Sequence, residues 1–208
     1  MQPMRASRAR FFVLDGIDGC GKSTQAARLA RSLEARGGRP VLHVREPGST
    51  AAGEHIRALL LDPEPKLVPA AQALLFAAAR RQLLEECIAP ALAAGRDVVC
   101  ERFHPSTVAY QGAAQGLGEE HVLELLRAWA GAPTPDLVLI LDLAPELART
   151  RHGQSDRFEA REPAFHERVA ESYRRYAARG SGVVRVDAAG SPDEVEARIW
   201  RAVERAGR

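Results

Sequence analysis

Residues 11–15, FFVLD, run directly into GIDGCGKST at 16–24, and a helix-period stretch follows. A short apolar strand, a glycine-rich turn and a helix in that order leave few folds open, because Gly16, Gly21, Lys22 and Ser23 meet the pattern G-x-x-x-x-G-K-[ST]. Glycines let successive backbone N–H groups turn inward as an anion nest. The helix from about Lys22 to Ala35 aims its positive end at the same point. The guest this suits is a polyphosphate. Gly16, Asp18, Gly19, Cys20, Gly21, Lys22, Ser23 and Thr24 are therefore the expected nucleotide-binding residues. Lys22 is placed to reach the β- and γ-phosphates and the Ser23 hydroxyl to ligate Mg²⁺, with a nucleoside triphosphate as the first expected ligand.

Lysine usage supports this reading. Of 29 Lys plus Arg, only Lys22 and Lys66 are lysines. A planar guanidinium cannot replace a compact ammonium among phosphate oxygens, so an isolated lysine here marks a position with a specific demand. Net charge of +2 over 208 residues offers no field for coating nucleic acid. The N-terminal stretch has only four consecutive apolar residues before Asp15, too few for a signal peptide, and no later run approaches membrane length, so a cytoplasmic location is expected. Cys20, Cys87 and Cys100 are odd in number and unpaired in spacing, which argues against a disulfide framework or a zinc site. Cys20, inside the phosphate loop, is a candidate for alkylation with loss of activity.

Along the chain, strand and helix patterns alternate. RFFVLD, PVLHV, DVVCE, LVLILDL and GVVRVD read as strands, and helices are expected from Lys22, from Ala51, over Pro69–Ala94, around 105–129, near 145–152, over 160–178 and over Pro192–Ala206. Short apolar runs separated by helices predict an α/β fold, a five-stranded parallel sheet covered on both faces, with ligands at the carboxyl ends of the strands. Those ends are polar. The second strand leads to Arg45 in REPGST, the third to Glu101 and Arg102, and the fourth to Asp142 and then the arginine-bearing RTRHGQSDRFEAR at 149–161. A carboxylate after an apolar strand resembles the metal-organising second motif of phosphate-loop proteins, which makes Glu101 a metal candidate beside Ser23.

FVLDGIDGCGKSTQ, VREPGST, LLFAAAR, ERFHPSTVAYQG and the late DRFE occur in the order and at the approximate spacings of the thymidylate kinases, and the chain resembles that family over nearly all of residues 10–206. The resemblance implies a three-layer kinase fold with a small lid, and transfer of the ATP γ-phosphoryl group to thymidine 5′-monophosphate (dTMP) with Mg²⁺, usually in a homodimer. It implies one domain over 1–208, with strand and phosphate loop at 10–24, acceptor segments at 45–50 and 101–112, and the lid at about 149–161. Asp18 matches a carboxylate near the acceptor 3′-hydroxyl, and Arg45 and Arg102 match residues that hold its phosphate. Phe76 matches the aromatic that stacks on thymine and Arg80 the arginine that bonds to it. Thr107 and Gln111 sit at base-contacting positions, and Tyr110 matches a ring that favours deoxyribose.

Two departures stand out. The family usually has aspartate where this chain has Glu101, which either approaches Mg²⁺, through a coordinated water, or orients Arg102. The stretch from Pro145 to Asp156 is shorter than the lid of many bacterial relatives. The phosphate loop contains no arginine, which in this family goes with a catalytic arginine in the lid; among Arg149, Arg151 and Arg157, Arg157 belongs to the DRFE segment and Arg151 is the better candidate for the moving cation. The catalytic set expected is thus Lys22, Glu101, Arg102, Arg151 and Arg157. A kinase for another nucleotide and a phosphate-loop ATPase or switch are the competing functions.

Overall fold

The computed structural model describes residues 8–151, 158, 161–180 and 182–207. The apolar runs become strands β1 (Phe11–Gly16), β2 (Val41–Arg45), β3 (Asp97–Glu101), β4 (Leu137–Asp142) and β5 (Val183–Asp187). They form one parallel sheet in the order β2-β3-β1-β4-β5. Burial follows that order. All six residues of the central β1 are buried, whereas the outer strands VLHVR and VVRVD alternate polar and apolar and leave most positions partly exposed. A strand covered on both faces can be continuously apolar, but an edge strand needs charge to discourage pairing with another chain.

Helices α1 (Lys22–Gly37) and α9 (Pro192–Ala206) pack together and against the sheet, and α2 (Ala51–Leu61) packs on α3 (Pro69–Leu83). The short α4 (Ala89–Ala93), α5 (His104–Thr107) and α7 (Pro145–Arg149) lead to or from strands, while α6 (Glu119–Ala130) and α8 (Pro163–Ala177) gather around residues 108–114. Proline begins several helices at the first or second position, where its missing N–H costs nothing and its φ suits the turn. Ser191 and Glu194 close a reciprocal capping box at the start of α9.

The structure differs from the sequence reading in two helices. Residues 69–94 are helical but not uniformly α: a π turn spans Leu84–Ile88 before α4. Pro90 follows, and a proline inside a helix offers no N–H and crowds the carbonyl four residues earlier, which a wider turn relieves. The stretch around 105–129 divides into α5, a π turn over Val108–Ala114 and then α6. The π turn closes with Gln115 N donating to the Tyr110 carbonyl at 2.9 Å. It carries two of the expected site residues, Tyr110 and Gln111, and π turns recur at functional sites. Of the expected lid at 149–161, residues 149–151, 158 and 161 are described, and Arg157 lies outside the described residues.

Candidate active site

The turn after β1 places Gly16 where no side chain would fit: a Cβ would lie 2.5 Å from the Leu141 carbonyl and 2.9 Å from Cys20 Sγ. Gly21 caps α1 at φ 92, a left-handed conformation that glycine adopts without strain, and no side chain caps the helix start. The first N–H groups of α1 are thus left for an external acceptor. Lys22, 8% exposed, bends back over the loop and donates to the carbonyls of Gly16 at 3.0 Å and Ile17 at 2.7 Å. Its ammonium lies 3.8 Å from Asp18. Cys20, the candidate for alkylation, is only 2% exposed, and burial raises its thiol above the ordinary range despite Lys22, which works against reaction.

Asp18 gathers the acceptor side. It pairs with Arg102, receives the Tyr110 hydroxyl at 2.6 Å and faces Lys22. Burial and the adjacent Asp18 carboxylate push the Tyr110 phenol well above its usual range, so it stays a donor. Arg102 sits at φ 65, uncommon for a side-chain-bearing residue, and is held there by its N–H to the Leu14 carbonyl at 2.9 Å. Beneath them lies Asp15, fully buried, which the sequence reading noted but left without a role. It accepts from Phe103 N at 2.9 Å, Ser106 Oγ at 2.7 Å and Tyr173 OH at 2.8 Å, tying α5 and α8 to the end of β1.

Glu101 ends β3 opposite the start of α1. One carboxylate oxygen accepts from Ser23 Oγ at 2.6 Å and the other faces His43 Nε2 at 2.8 Å. Burial acts to raise its pKa, but the bonds from His43 and Ser23, together with the Lys22 charge, outweigh burial and hold the carboxyl below its ordinary range. A hydroxyl and a carboxylate at this separation are hard oxygen donors suited to Mg²⁺, which takes few protein ligands and leaves its other positions to phosphate and water. His43 was missed because a polar residue on an edge strand gives no hint of a partner 58 residues later in the chain.

The segment after β2 turns Arg45 onto Glu54, whose two oxygens lie 3.1 Å from Nη2. Arg57, also missed, lines the cavity nearby and donates to the Pro47 carbonyl at 3.1 Å. On α3, Phe76 is half-buried, with its ring centroid 6.3 Å from that of Phe158, and Phe158 meets Tyr110 edge-on at 5.8 Å. Thr107 and Gln111, both 1% exposed, line the same wall. Arg80, expected to bond to the base, is not among the residues that line the cavity: its guanidinium is 1% exposed, donates to Glu46 at 2.7 Å and to Thr107 Oγ1 at 3.0 Å, and leaves Nη1 without a partner among the described residues. Burial pushes Glu46 up to about 7 against the opposing charge of Arg80. Arg151 lines the cavity and bonds to the Ala188 carbonyl at 3.4 Å, whereas Arg149 is exposed on α7 and does not line it.

These walls enclose one cavity of about 700 Å³, running from residues 18–25 of the phosphate loop past Arg102 to Phe76 and Gln111, and on to Ala188 and Gly190. That is room for more than one small ligand. A family model described as thymidylate kinase matches residues 14–199. The chain is 46% identical over 195 residues to a thymidylate kinase of Synechococcus sp. (strain JA-3-3Ab), covering 93% of this chain and 95% of that one. It is 47% identical over 201 residues to one of Rhizorhabdus wittichii, covering 93% and 96%. A crystal structure of thymidylate kinase from Ehrlichia chaffeensis superposes with a TM-score of 0.80 at 26% identity, over 95% of this chain and 100% of that one. Sequence match across nearly the whole length and the same fold around the same loop lead to one assignment: this chain belongs to the thymidylate kinase family.

Proposed function

We propose that this chain phosphorylates dTMP to the diphosphate with ATP and Mg²⁺, supplying dTTP for DNA replication, and that residues 1–208 work as a single kinase domain. The observation that carries the site reading is the continuity of one cavity from the Lys22 nest to the wall of Phe76, Thr107 and Gln111. A phosphoryl donor at one end and a pyrimidine at the other bring two phosphates together beside Arg102.

The open N–H groups of α1 and Lys22 hold the donor phosphates, and Lys22 exchanges its contacts with the Gly16 and Ile17 carbonyls for phosphate oxygens. Ser23 and Glu101 would hold Mg²⁺, which neutralises charge on the phosphates when bound. Arg102 and Arg45 hold the acceptor phosphate, and Asp18 orients Arg102 and Tyr110 beside the sugar. Phe76 stacks on the base. Arg151 is the lid cation in reach of the cavity, with Arg157 as its companion in the DRFE segment. Positioning and charge then do the catalytic work, since phosphoryl transfer asks for little covalent help from the protein. The same reading makes the protein a cytoplasmic homodimer; no helix among the described residues is long and apolar enough to cross a membrane, and Leu59 on α2 and Leu74 on α3 are exposed apolar residues available for pairing.

A coupled assay of ADP release, with ATP and Mg²⁺ and each of dTMP, dUMP, dCMP and dGMP, tests the proposal. Release that depends on dTMP and is weaker with the others is expected. Acceptor-independent hydrolysis, or a preference for dGMP, would overturn it.

A further inference from the structure

Gln72 lies in the first turn of α3, 4% exposed, and its role is set by a group whose polarity cannot change. The Leu67 carbonyl, on the chain entering the helix, can only accept a hydrogen bond, and Gln72 Nε2 donates to it at 2.8 Å. The amide of Gln72 is therefore oriented with Oε1 pointing the other way. That oxygen receives two donors: Gln111 Nε2 at 3.2 Å and Gln115 Nε2 at 2.9 Å. Each of those amides must present nitrogen to Gln72 and carbonyl elsewhere. The Gln115 side-chain carbonyl is buried without a partner among the described residues, and turning its amide would add the further cost of setting oxygen against oxygen at Gln72. The network keeps Gln72 Oε1 as a double acceptor even so.

The consequence falls on Gln111, which lines the cavity. With its nitrogen committed, its side chain offers the cavity a carbonyl, which has no partner among the described residues. Thr107, four residues earlier on the same wall, has the complementary arrangement: Oγ1 accepts from Arg80 at 3.0 Å, leaving the hydroxyl proton to donate. An acceptor next to a donor matches the N3–H and O4 edge shared by thymine and uracil. Cytosine presents a bare N3 and an amino group, the reverse of both.

Building on the dTMP reading above, we propose that Gln72 is a positioning residue for base specificity: the Leu67 carbonyl and Gln72 lock the Gln111 amide so that its carbonyl reads the N3–H of thymine and rejects cytosine. Gln72 itself touches no base. It acts by removing the choice that a free amide would have, since a glutamine able to turn could serve either pyrimidine.

Two substitutions in the full-length protein test this through the ratios of kcat/KM for dTMP, dUMP and dCMP. Gln72→Met keeps the length and removes the polarity, so the dTMP/dCMP ratio should fall at least about tenfold, the scale of freeing one buried hydrogen-bonding group to re-pair. The dTMP/dUMP ratio should not move, because both bases share the edge that Gln111 reads. Gln72→Glu still presents an acceptor to Gln111, whether ionised or protonated, and should keep the dTMP/dCMP ratio within about threefold of the parent. An unchanged dTMP/dCMP ratio in Gln72→Met, or a ratio that collapses in Gln72→Glu, would overturn the proposal. General damage to the fold would lower all three substrates together and leave both ratios in place, and if the methionine variant does not fold, Gln72→Leu, which also removes the acceptor, must show the same fall in the dTMP/dCMP ratio. Absence of dTMP-dependent ADP release in the parent protein would instead refute the underlying function, which separates the two failures.

Discussion

Glu101 uses both of its carboxylate oxygens, one toward Ser23 and one toward His43, and this explains a residue that looked out of place in the sequence. The extra methylene relative to aspartate lets one carboxylate span from the start of α1 to a side chain on the edge strand. Glu101→Asp is shorter by more than an ångström and loses one of the two contacts, so kcat should fall about tenfold or more, the cost of one misplaced electrostatic contact. Glu101→Gln keeps both reaches but loses the charge, and should fall further, by about 10²-fold. Steady-state turnover with dTMP at saturating Mg²⁺ checks both. An aspartate variant as fast as the parent would show that the bridge to His43 is idle.

Among the helices, α6 and α8 are joined by a small ionic cluster. Glu119, at the start of α6, accepts from Ser172 Oγ at 2.8 Å, Arg175 at 2.6 Å and Arg179 at 2.7 Å. Burial works to raise its pKa, but the bonds from Arg175, Ser172 and Arg179 outweigh that and hold it below the ordinary range. The folded state therefore binds this proton less readily than the unfolded chain. Its contribution is full above the unfolded value near 4.3 and is lost as pH falls through the lower folded value. Because the cluster is partly exposed and screened, Glu119→Gln should cost only about 1 kcal/mol at pH 7, or roughly 2–4 °C in Tm for a chain of this size. Thermal melts from pH 7 down to pH 3 should show the gap between variant and parent closing below about pH 4. A gap constant with pH would mean that packing, not charge, is what the substitution removes.

For the molecule as a whole, the cavity draws on segments far apart in sequence: the loop after β1, the turn after β2, α3, the π turn at 108–114 and the loop between β5 and α9. Any ligand that fills it binds the native arrangement alone and must stabilise it. A nonhydrolysable ATP analogue with Mg²⁺, and dTMP separately, each at 100 times its Kd, should stabilise the protein by about 2.7 kcal/mol. That corresponds to roughly 5–10 °C in Tm. Lys22→Ala should lose most of the shift from the ATP analogue and retain that from dTMP, because Lys22 stands at one end of the cavity and Phe76 and Gln111 at the other. Loss of both shifts together would contradict that division of the site.

Local chemistry was enough to read much of this protein. Five short apolar runs with helices between them specify a parallel sheet, since the central runs must be covered on both faces, and G-x-x-x-x-G-K-S specifies a loop whose backbone turns inward. These are short-range properties, carried by residues that are neighbours in the chain. What the sequence could not determine is which side chains meet across that sheet. Asp15 becomes the post that holds Phe103, Ser106 and Tyr173 only because β1 lies next to β3 and α8, packed against β4 and β5, brings Tyr173 to the end of β1. Arg80 has the spacing of a base-reading residue, and only the fold shows that Glu46 and Thr107 take up part of its guanidinium. His43 looks like edge-strand polarity until parallel pairing of β2 with β3 brings it to Glu101. The orientation of a single amide at Gln111 depends on a backbone carbonyl 44 residues earlier in the chain, at Leu67. A hydrogen bond has a direction, and only the folded chain decides which donor each acceptor receives.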